Sequence, residues 1–426
     1  MIDYCQNRRL KVLVSAFAFS PVRGSEAAVG WNIALRLAEQ FDVVLLHGDV
    51  RADRRSEREV AHYLKEHSVP EGMIIQYVPP SRANAFLEKL HTLPGCWMFY
   101  YLAYKLWQQK ALKKARSLHR EIHFDICHQL TYIGYREPGY LWKLGIPFVW
   151  GPVSGAENIP STFYRSFGNL EFFRPLSRDL GNIIQKAFPG RIKMAAKAAT
   201  KVFAVSHSEK DLFKRWGVAA ECLLETGTTP SRLARVRARD TTPLKIAWSG
   251  LFTPRKALPI LFQSLSKVNK DDWRLTIIGD GPSRNIWSML AKELGLADVN
   301  IKWLGALARD QAIQAMSECD VLAHTGIREG TPHVVLEALS LGMPVICHDA
   351  GGMSTAITDR CGVKVPLVDP QSSIKGFLAA IQAFVNEINL LETLSRGALD
   401  RSDDLSWNAI ASKIGDTYKS VVCANT

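Results

Sequence analysis

Short apolar runs recur along the chain, and between them apolar positions repeat every three or four residues. Such runs read as buried strands, and the longer period reads as amphipathic helix. The pattern predicts strands at 10–17, 42–47, 74–78, 126–129, 148–151 and 201–205, with helices at 28–39 and 56–67. The rhythm restarts at 244–249 and continues at 274–278, 301–303, 321–324, 344–347 and 362–365. Helices at 258–268, 283–294, 309–316 and 333–341 separate these strands. Strand–helix alternation predicts an α/β chain with parallel sheets, because parallel neighbours need a crossover between them.

The pattern breaks over 226–243, where Gly227, Pro230, Pro243 and several arginines stand with little apolar period. The break divides the chain into two doubly wound, Rossmann-like domains, 1–228 and 229–405, and a further helical segment, 406–426, is expected to pack back on the first. Ligands of such sheets bind beyond the carboxyl ends of the strands, so the cleft between the domains is the expected active site.

Composition adds to this picture. Of 426 residues, 47% are hydrophobic, enough for two cores and too many for a disordered chain. No uncharged apolar run reaches the length of a membrane span. Residues 11–17 are apolar, but no small-residue cleavage site follows them, so they read as a first strand and the expected compartment is the cytosol. The eight cysteines, Cys5, Cys96, Cys127, Cys222, Cys319, Cys347, Cys361 and Cys423, form no C-x-x-C pair. That usage fits a reducing compartment and neither a zinc site nor a disulfide framework.

The net charge of +12 favours anionic partners. Residues 86–120 carry seven Lys/Arg against one acid, Glu88, beside Trp97, Phe99, Tyr100, Tyr101, Tyr104 and Trp107. The segment reads either as a contact with an anionic membrane surface or as a helix with a solvated basic face. No helix-turn-helix, RNA-recognition or zinc-finger signature is present, so nucleic acid is not an expected partner.

The densest chemistry lies in Arg328-Glu329-Gly330-Thr331-Pro332-His333-Val334-Val335-Leu336-Glu337-Ala338. Thr331 suits a helix N-cap and Pro332 a first helical position, while Gly342 suits the C-terminal end. A helix beginning here aims free N–H groups into the cleft, an arrangement that holds a diphosphate. Arg255 and Lys256, just past the strand at 244–249, supply cations for the same anion. Taken alone, Glu337 reads as a solvent-facing acid and Arg255-Lys256 as a surface dipeptide. His128 at a strand end reads as either a structural or a functional histidine. Gly279-Asp280-Gly281-Pro282 lacks the third glycine of a dinucleotide fingerprint. The sequence has no Asp-x-Asp and no ligand-spaced His/Asp/Glu cluster, so no metal site is expected.

Together these residues resemble the family 4 retaining glycosyltransferases of GT-B fold. The Glu329–Glu337 spacing and the strand–Gly250–loop–Arg255–Lys256 order carry the resemblance. It extends to Pro21-Val22-Arg23-Gly24-Ser25-Glu26, Phe124-Asp125-Ile126-Cys127-His128, Ala204-Val205-Ser206, Ile278-Gly279-Asp280-Gly281-Pro282, Trp303-Leu304-Gly305 and Ala350-Gly351-Gly352-Met353. Cys361-Gly362-Val363-Lys364-Val365-Pro366 closes the series, in the family's order.

The resemblance implies that Glu329 holds hydroxyls of the transferred sugar and supports positive charge at its anomeric carbon. It implies that Gly330, Thr331, His333 and Val334 contact sugar and phosphate, and that Glu337 holds the ribose. Arg255 and Lys256 would bind the diphosphate, Gly24 would let the N-terminal loop approach it, and His128 would position donor sugar or acceptor. The implied reaction is retaining, metal-independent hexosyl transfer, with no cofactor beyond a UDP- or GDP-type sugar donor. The implied acceptor is a saccharide or polyprenyl-linked saccharide in surface polysaccharide assembly, on the inner face of a membrane. Leu251 after Gly250, Leu130 after His128, and Met353-Ser354 after Gly352 depart from the family pattern. Two other readings of the same architecture are a nucleotide-sugar epimerase and a non-catalytic nucleotide-sugar-binding protein.

Overall fold

The computed structural model describes residues 8–49, 53–93, 96, 98–167, 173–238, 243–296 and 300–425. Cys5 and Trp97 lie outside the described residues. The first sheet contains β1 (Lys11–Ala16), β2 (Asp42–Gly48), β3 (Met73–Val78), β4 (Ile126–Thr131), β5 (Phe148–Val153), β6 (Lys201–Ala204) and β7 (Ala220–Cys222). Their order is β3-β2-β1-β4-β5-β6-β7. The second contains β8 (Leu244–Ser249), β9 (Trp273–Ile278), β10 (Ile301–Gly305), β11 (Val321–His324), β12 (Val345–His348) and β13 (Gly362–Val365). Its order is β10-β9-β8-β11-β12-β13. Adjacent strands pair in parallel in both sheets. The two doubly wound α/β domains expected from the sequence are present.

Both faces of each sheet are covered, so the central strands need no polar side. Every residue of β4, β5, β11 and β12 is buried. The strand that the pattern misses, β7, is three residues long with Glu221 at its centre, and so carries no apolar run.

The chain crosses between the domains twice at one place. Thr228 N–H donates to the Leu405 carbonyl at 2.9 Å, and Thr228 and Ser406 form a parallel bridge. After the second crossing, the helix Trp407–Asn425 lies along the helix Glu26–Gln40 of the first domain. Its residues Trp407, Ile410, Ile414 and Tyr418 join the core that holds Val12, Leu37 and Phe41. A third link is a plug. Ile159 and Phe163, which follow β5, sit in the core of the second domain, where Phe163 meets His348 edge-on at 6.4 Å.

The basic aromatic segment is divided: Phe86, Leu93 and Leu102 are exposed, and other residues of it are core. In the helix Met98–Ile122 the residues Tyr104, Trp107, Ala111 and Ala115 share one face, which packs into the first domain. Trp107 Nε1–H donates to the Val78 carbonyl at 2.8 Å. These aromatics are core residues, and the basic residues Lys113, Arg116 and Arg120 lie on the outer side, around a shallow groove.

His128 also departs from expectation. It is fully buried, with Nδ1 2.5 Å from the Tyr418 hydroxyl and Nε2 2.6 Å from the Gly151 carbonyl. Burial pushes its pKa down to about 4, so the ring is neutral, donating from Nε2 and accepting the tyrosine hydroxyl at Nδ1. Both ring nitrogens of His128 are thus engaged within the protein. The residue fastens the returning helix to the sheet. Tyr418→Phe leaves that nitrogen without a donor and is expected to lower stability by about 1–3 kcal/mol, read by urea unfolding.

Candidate active site

The cationic loop after β8 is built by backbone contact. Phe252 N–H donates to the Asp280 carbonyl at 2.9 Å, and Gly250 N–H to the Ile278 carbonyl at 3.0 Å. Gly281, at φ +154°, lies so close that a Cβ there would stand 2.8 Å from the Phe252 nitrogen. The paired loops fix a single 3₁₀ turn, Pro254–Lys256, which carries Arg255 and Lys256. The turn is stitched to the loop after β11: Thr325 Oγ1 donates to the Lys256 carbonyl at 2.7 Å, and Ile327 N–H to the Arg255 carbonyl at 3.0 Å.

That stitching brings Glu329 to the cations. Its Oε1 is 2.8 Å from Lys256 Nζ and 3.0 Å from Arg255 Nη1. Lys256 is nearly buried; desolvation lowers its pKa, and Glu329 pulls it back up. Three residues that the sequence assigns to one donor therefore touch each other.

The next residues form a braced loop. Thr331 donates its N–H and its hydroxyl to the two oxygens of Glu225, each at 2.7 Å. Its hydroxyl is thereby engaged, and Pro332 rather than Thr331 occupies the N-cap of the helix His333–Ser340. Gly351 and Gly352 press against the loop from the other side. Gly352 N–H donates to the Gly330 carbonyl at 3.0 Å, and Gly351 N–H donates to Glu157 Oε2 at 2.7 Å. At the far end of the helix, Gly342 at φ +71° and Met343 return N–H bonds to Leu339 and Ala338, closing it as expected.

Facing this loop is the start of the helix Glu26–Gln40, so two helix N-termini from opposite domains open on one cleft of about 400 Å³. The cleft is lined by Ser25, Glu26 and Ile133 on one side, and by Glu225, Lys256, Glu329, Gly330, Thr331, His333 and Val334 on the other. Ser25 enters its helix at φ 56°, a strained conformation for a residue other than glycine. Gly24 stands next to it, exposed, with open space around its Cα. The Glu26 carboxyl accepts the Ile133 N–H. Burial pushes its pKa up to about 7, that bond opposes the shift, and Glu225 adds to it.

His333 also lines a second chamber of about 380 Å³, with Thr229, Pro230, Arg309, Glu337 and Ser340. There Glu337 accepts from Arg309 Nε at 2.8 Å. Burial keeps the His333 pKa below the ordinary histidine value. Among the described residues, no three His, Cys, Asp or Glu side chains converge on a metal position.

The structure thus gathers Glu329, Lys256, Gly330, Thr331, His333 and Val334 in one cleft, with Arg255 paired to Glu329, places Glu337 in the adjoining chamber, and leaves Gly24 at the rim. His128 is elsewhere. Glu225 carries no motif. Its only signal is an acid that directly follows the apolar Leu223-Leu224 at a domain boundary.

Residues 232–400 match the family model described as Glycosyl transferases group 1. Over 206 residues the chain is 27% identical to a D-inositol 3-phosphate glycosyltransferase of Stackebrandtia nassauensis, covering 45% of each chain. Over 153 residues it is 29% identical to a GDP-mannose-dependent monoacylated alpha-(1-6)-phosphatidylinositol monomannoside mannosyltransferase of Corynebacterium glutamicum, covering 33% of this chain and 39% of that one. The chain spans about half the length, or less, of these curated relatives. The lipopolysaccharide outer core galactosyltransferase WaaB, in apo form, superposes with a TM-score of 0.65 at 15% identity, covering 98% of this chain and 100% of that one. HepE of Anabaena, in complex with UDP and glucose, superposes with a TM-score of 0.56 at 15% identity, covering 97% and 100%. The fold is GT-B.

Gly352 tests how tightly the loop is built. A Cβ there would overlap the Thr331 hydroxyl and stand 2.7 Å from the Gly330 carbonyl oxygen. Gly352→Ala is expected to cost about 1–3 kcal/mol of stability, measured by urea unfolding, because neither neighbour can move without breaking a hydrogen bond.

Proposed function

We propose that the chain, whose residues 232–400 match the Glycosyl transferases group 1 model, transfers a hexosyl residue from a UDP- or GDP-type sugar to a saccharide or lipid-linked saccharide, with retention and without a metal. The observation that carries the proposal is the Arg255–Lys256–Glu329 cluster beneath two facing helix N-termini. The donor diphosphate takes Arg255, Lys256 and the N–H groups at the start of the helix His333–Ser340. Pro332 has no N–H to give. Displaced from the cations, Glu329 is free to accept hydroxyls of the sugar and to face the positive charge that grows at its anomeric carbon. Glu337, in the chamber beyond His333, holds the ribose.

The acceptor enters from the side of Glu26 and Ile133. The bond from the anomeric carbon to the diphosphate oxygen breaks with its electron pair on the diphosphate. The acceptor oxygen bonds to the same face of that carbon, and its proton passes to the departing phosphate. No side-chain nucleophile is required. Surface polysaccharide assembly in the cytosol, at the inner face of a membrane, is the setting we propose.

The ion pairs give the test a sign. Glu329→Gln removes the anion that competes with the diphosphate for Arg255 and Lys256. The variant is expected to lose about 10²–10³ in kcat, while binding the nucleoside diphosphate up to about tenfold more tightly. Calorimetry across UDP and GDP, together with a transfer assay, reads both effects. Full activity in the variant sinks the assignment.

Glu26 adds a pH dependence. Its folded pKa of about 7 leaves it neutral below that pH and charged above it. A nucleotide sugar, whose diphosphate does not titrate in this range, is therefore expected to bind more weakly as pH rises through about 7, and Glu26→Gln should flatten the profile.

A further inference from the structure

The helix Phe173–Ala187 is inside out. Its inward face is polar: Asp179 and Asn182 are 2% and 0% exposed. Asp179 accepts the Ile159 N–H at 3.1 Å and the Tyr164 hydroxyl at 2.8 Å. Asn182 bonds Tyr135 at 2.9 Å and Asn158 at 2.9 Å. Its outward face is apolar, with Leu180 55%, Ile183 56% and Ile184 54% exposed at the spacing of one helical stripe. Leu176 continues the stripe. Phe188, 82% exposed, and Met194, on the following helix Gly190–Ala198, extend it. A helix serving only the interior of a soluble domain has the opposite polarity, and an outward apolar stripe of this extent marks an interaction surface.

The charge around the stripe selects the partner. Residues 173–198 contain six Lys/Arg and a single acid, Asp179, which is buried on the inner face. Arg178 and Arg191 turn inward, to the Gly155 carbonyl and to Glu137. Lys186, Lys193 and Lys197 flank the apolar residues, and exposed Lys214 and Arg215 stand on the adjoining helix His207–Arg215. Arg215 is near enough to help hold down the pKa of Lys186, after the effect of its partial burial.

We propose that this hairpin docks the protein on an anionic lipid bilayer, with Leu180, Ile183, Ile184 and Phe188 inserted among the acyl chains and Lys193 and Lys197 at the headgroups. A second copy is disfavoured, because pairing the stripes would bring two basic rims together. Attachment is peripheral: among the described residues no single helix is long and apolar enough to cross a membrane. The buried face of the same helix reaches the active-site wall, where Asp179 stands 3.9 Å from Arg328, the neighbour of Glu329. A docked hairpin therefore holds the cleft beside the lipid surface.

The test is co-sedimentation of the full chain with vesicles of phosphatidylcholine, with and without phosphatidylglycerol. The wild type is expected to bind the phosphatidylglycerol vesicles, to bind pure phosphatidylcholine far less, and to dissociate as salt rises. Leu180→Ser combined with Ile184→Ser and Phe188→Ser should weaken binding at least about tenfold while keeping the melting temperature. Lys193→Glu with Lys197→Glu should abolish the preference for phosphatidylglycerol. Three outcomes overturn the proposal. These are a wild type that ignores the anionic vesicles, a serine variant that binds them undiminished, and a wild-type dimer that the serine variant converts to monomer. Nucleotide binding is measured separately, so failure here leaves the donor-site reading standing.

Discussion

A parallel strand must be followed by a crossover, and the crossover returns the chain to the same edge from which the next strand starts. The thirteen parallel strands among the described residues, in two sheets, thus gather their outgoing loops at one edge of each sheet. The cleft is the meeting of those edges. From this follow the facing starts of the helices Glu26–Gln40 and His333–Ser340, and the contact of the loops after β8, β9 and β11. It also follows that side chains eighty residues apart or more converge, as Thr331 and Glu225 do.

Much of this was legible in the sequence, for a physical reason. Parallel sheets buried on both faces write themselves as apolar runs, so twelve strands stood out and β7, with Glu221 at its centre, did not. The loop from Arg328 to Val334 was legible because cap, proline, glycine and acid recur at fixed positions. Its details were not. Thr331 has the right side chain for an N-cap, but Glu225 offers it two oxygens, and that partner is invisible locally. His128 shows the converse. A histidine at a strand end carries no mark of whether a tyrosine 290 residues later will cover it. Nor could pattern reading distinguish the two basic amphipathic regions. Tyr104 and Trp107 of the one go inward and Leu180, Ile183 and Ile184 of the other outward, and only packing decides the sense.

The cleft is acidic and basic at once. Glu26, Glu225 and Glu329 share one small volume with Lys256 and His333, and Arg255 pairs with Glu329 beside it. Such a site is costly to desolvate unless its charges are paired, and each is held: Glu329 by two cations, Glu225 by Thr331, and Glu26 by a backbone N–H and a raised pKa. A ligand that enters exchanges partners within this set rather than meeting bare charge. Selectivity then depends on whether the newcomer can satisfy every group it displaces, which favours an anion carrying hydroxyls over a simple anion.

The returning helix Trp407–Asn425 has a bearing on how the chain is made. The second domain takes Ile159 and Phe163 from earlier in the chain and the rest of that core from residues 244–394, so the core can close once residues 244–400 have left the ribosome. The first domain cannot. Trp407, Ile410, Ile414 and Tyr418 belong to its core, and His128 waits for a hydroxyl that is synthesised after the whole second domain. The usual vectorial order, in which the N-terminal domain completes itself first, is therefore reversed. During elongation the half-built first domain exposes the groove that this helix will fill, and its protection from aggregation depends on how quickly translation delivers residues 407–422.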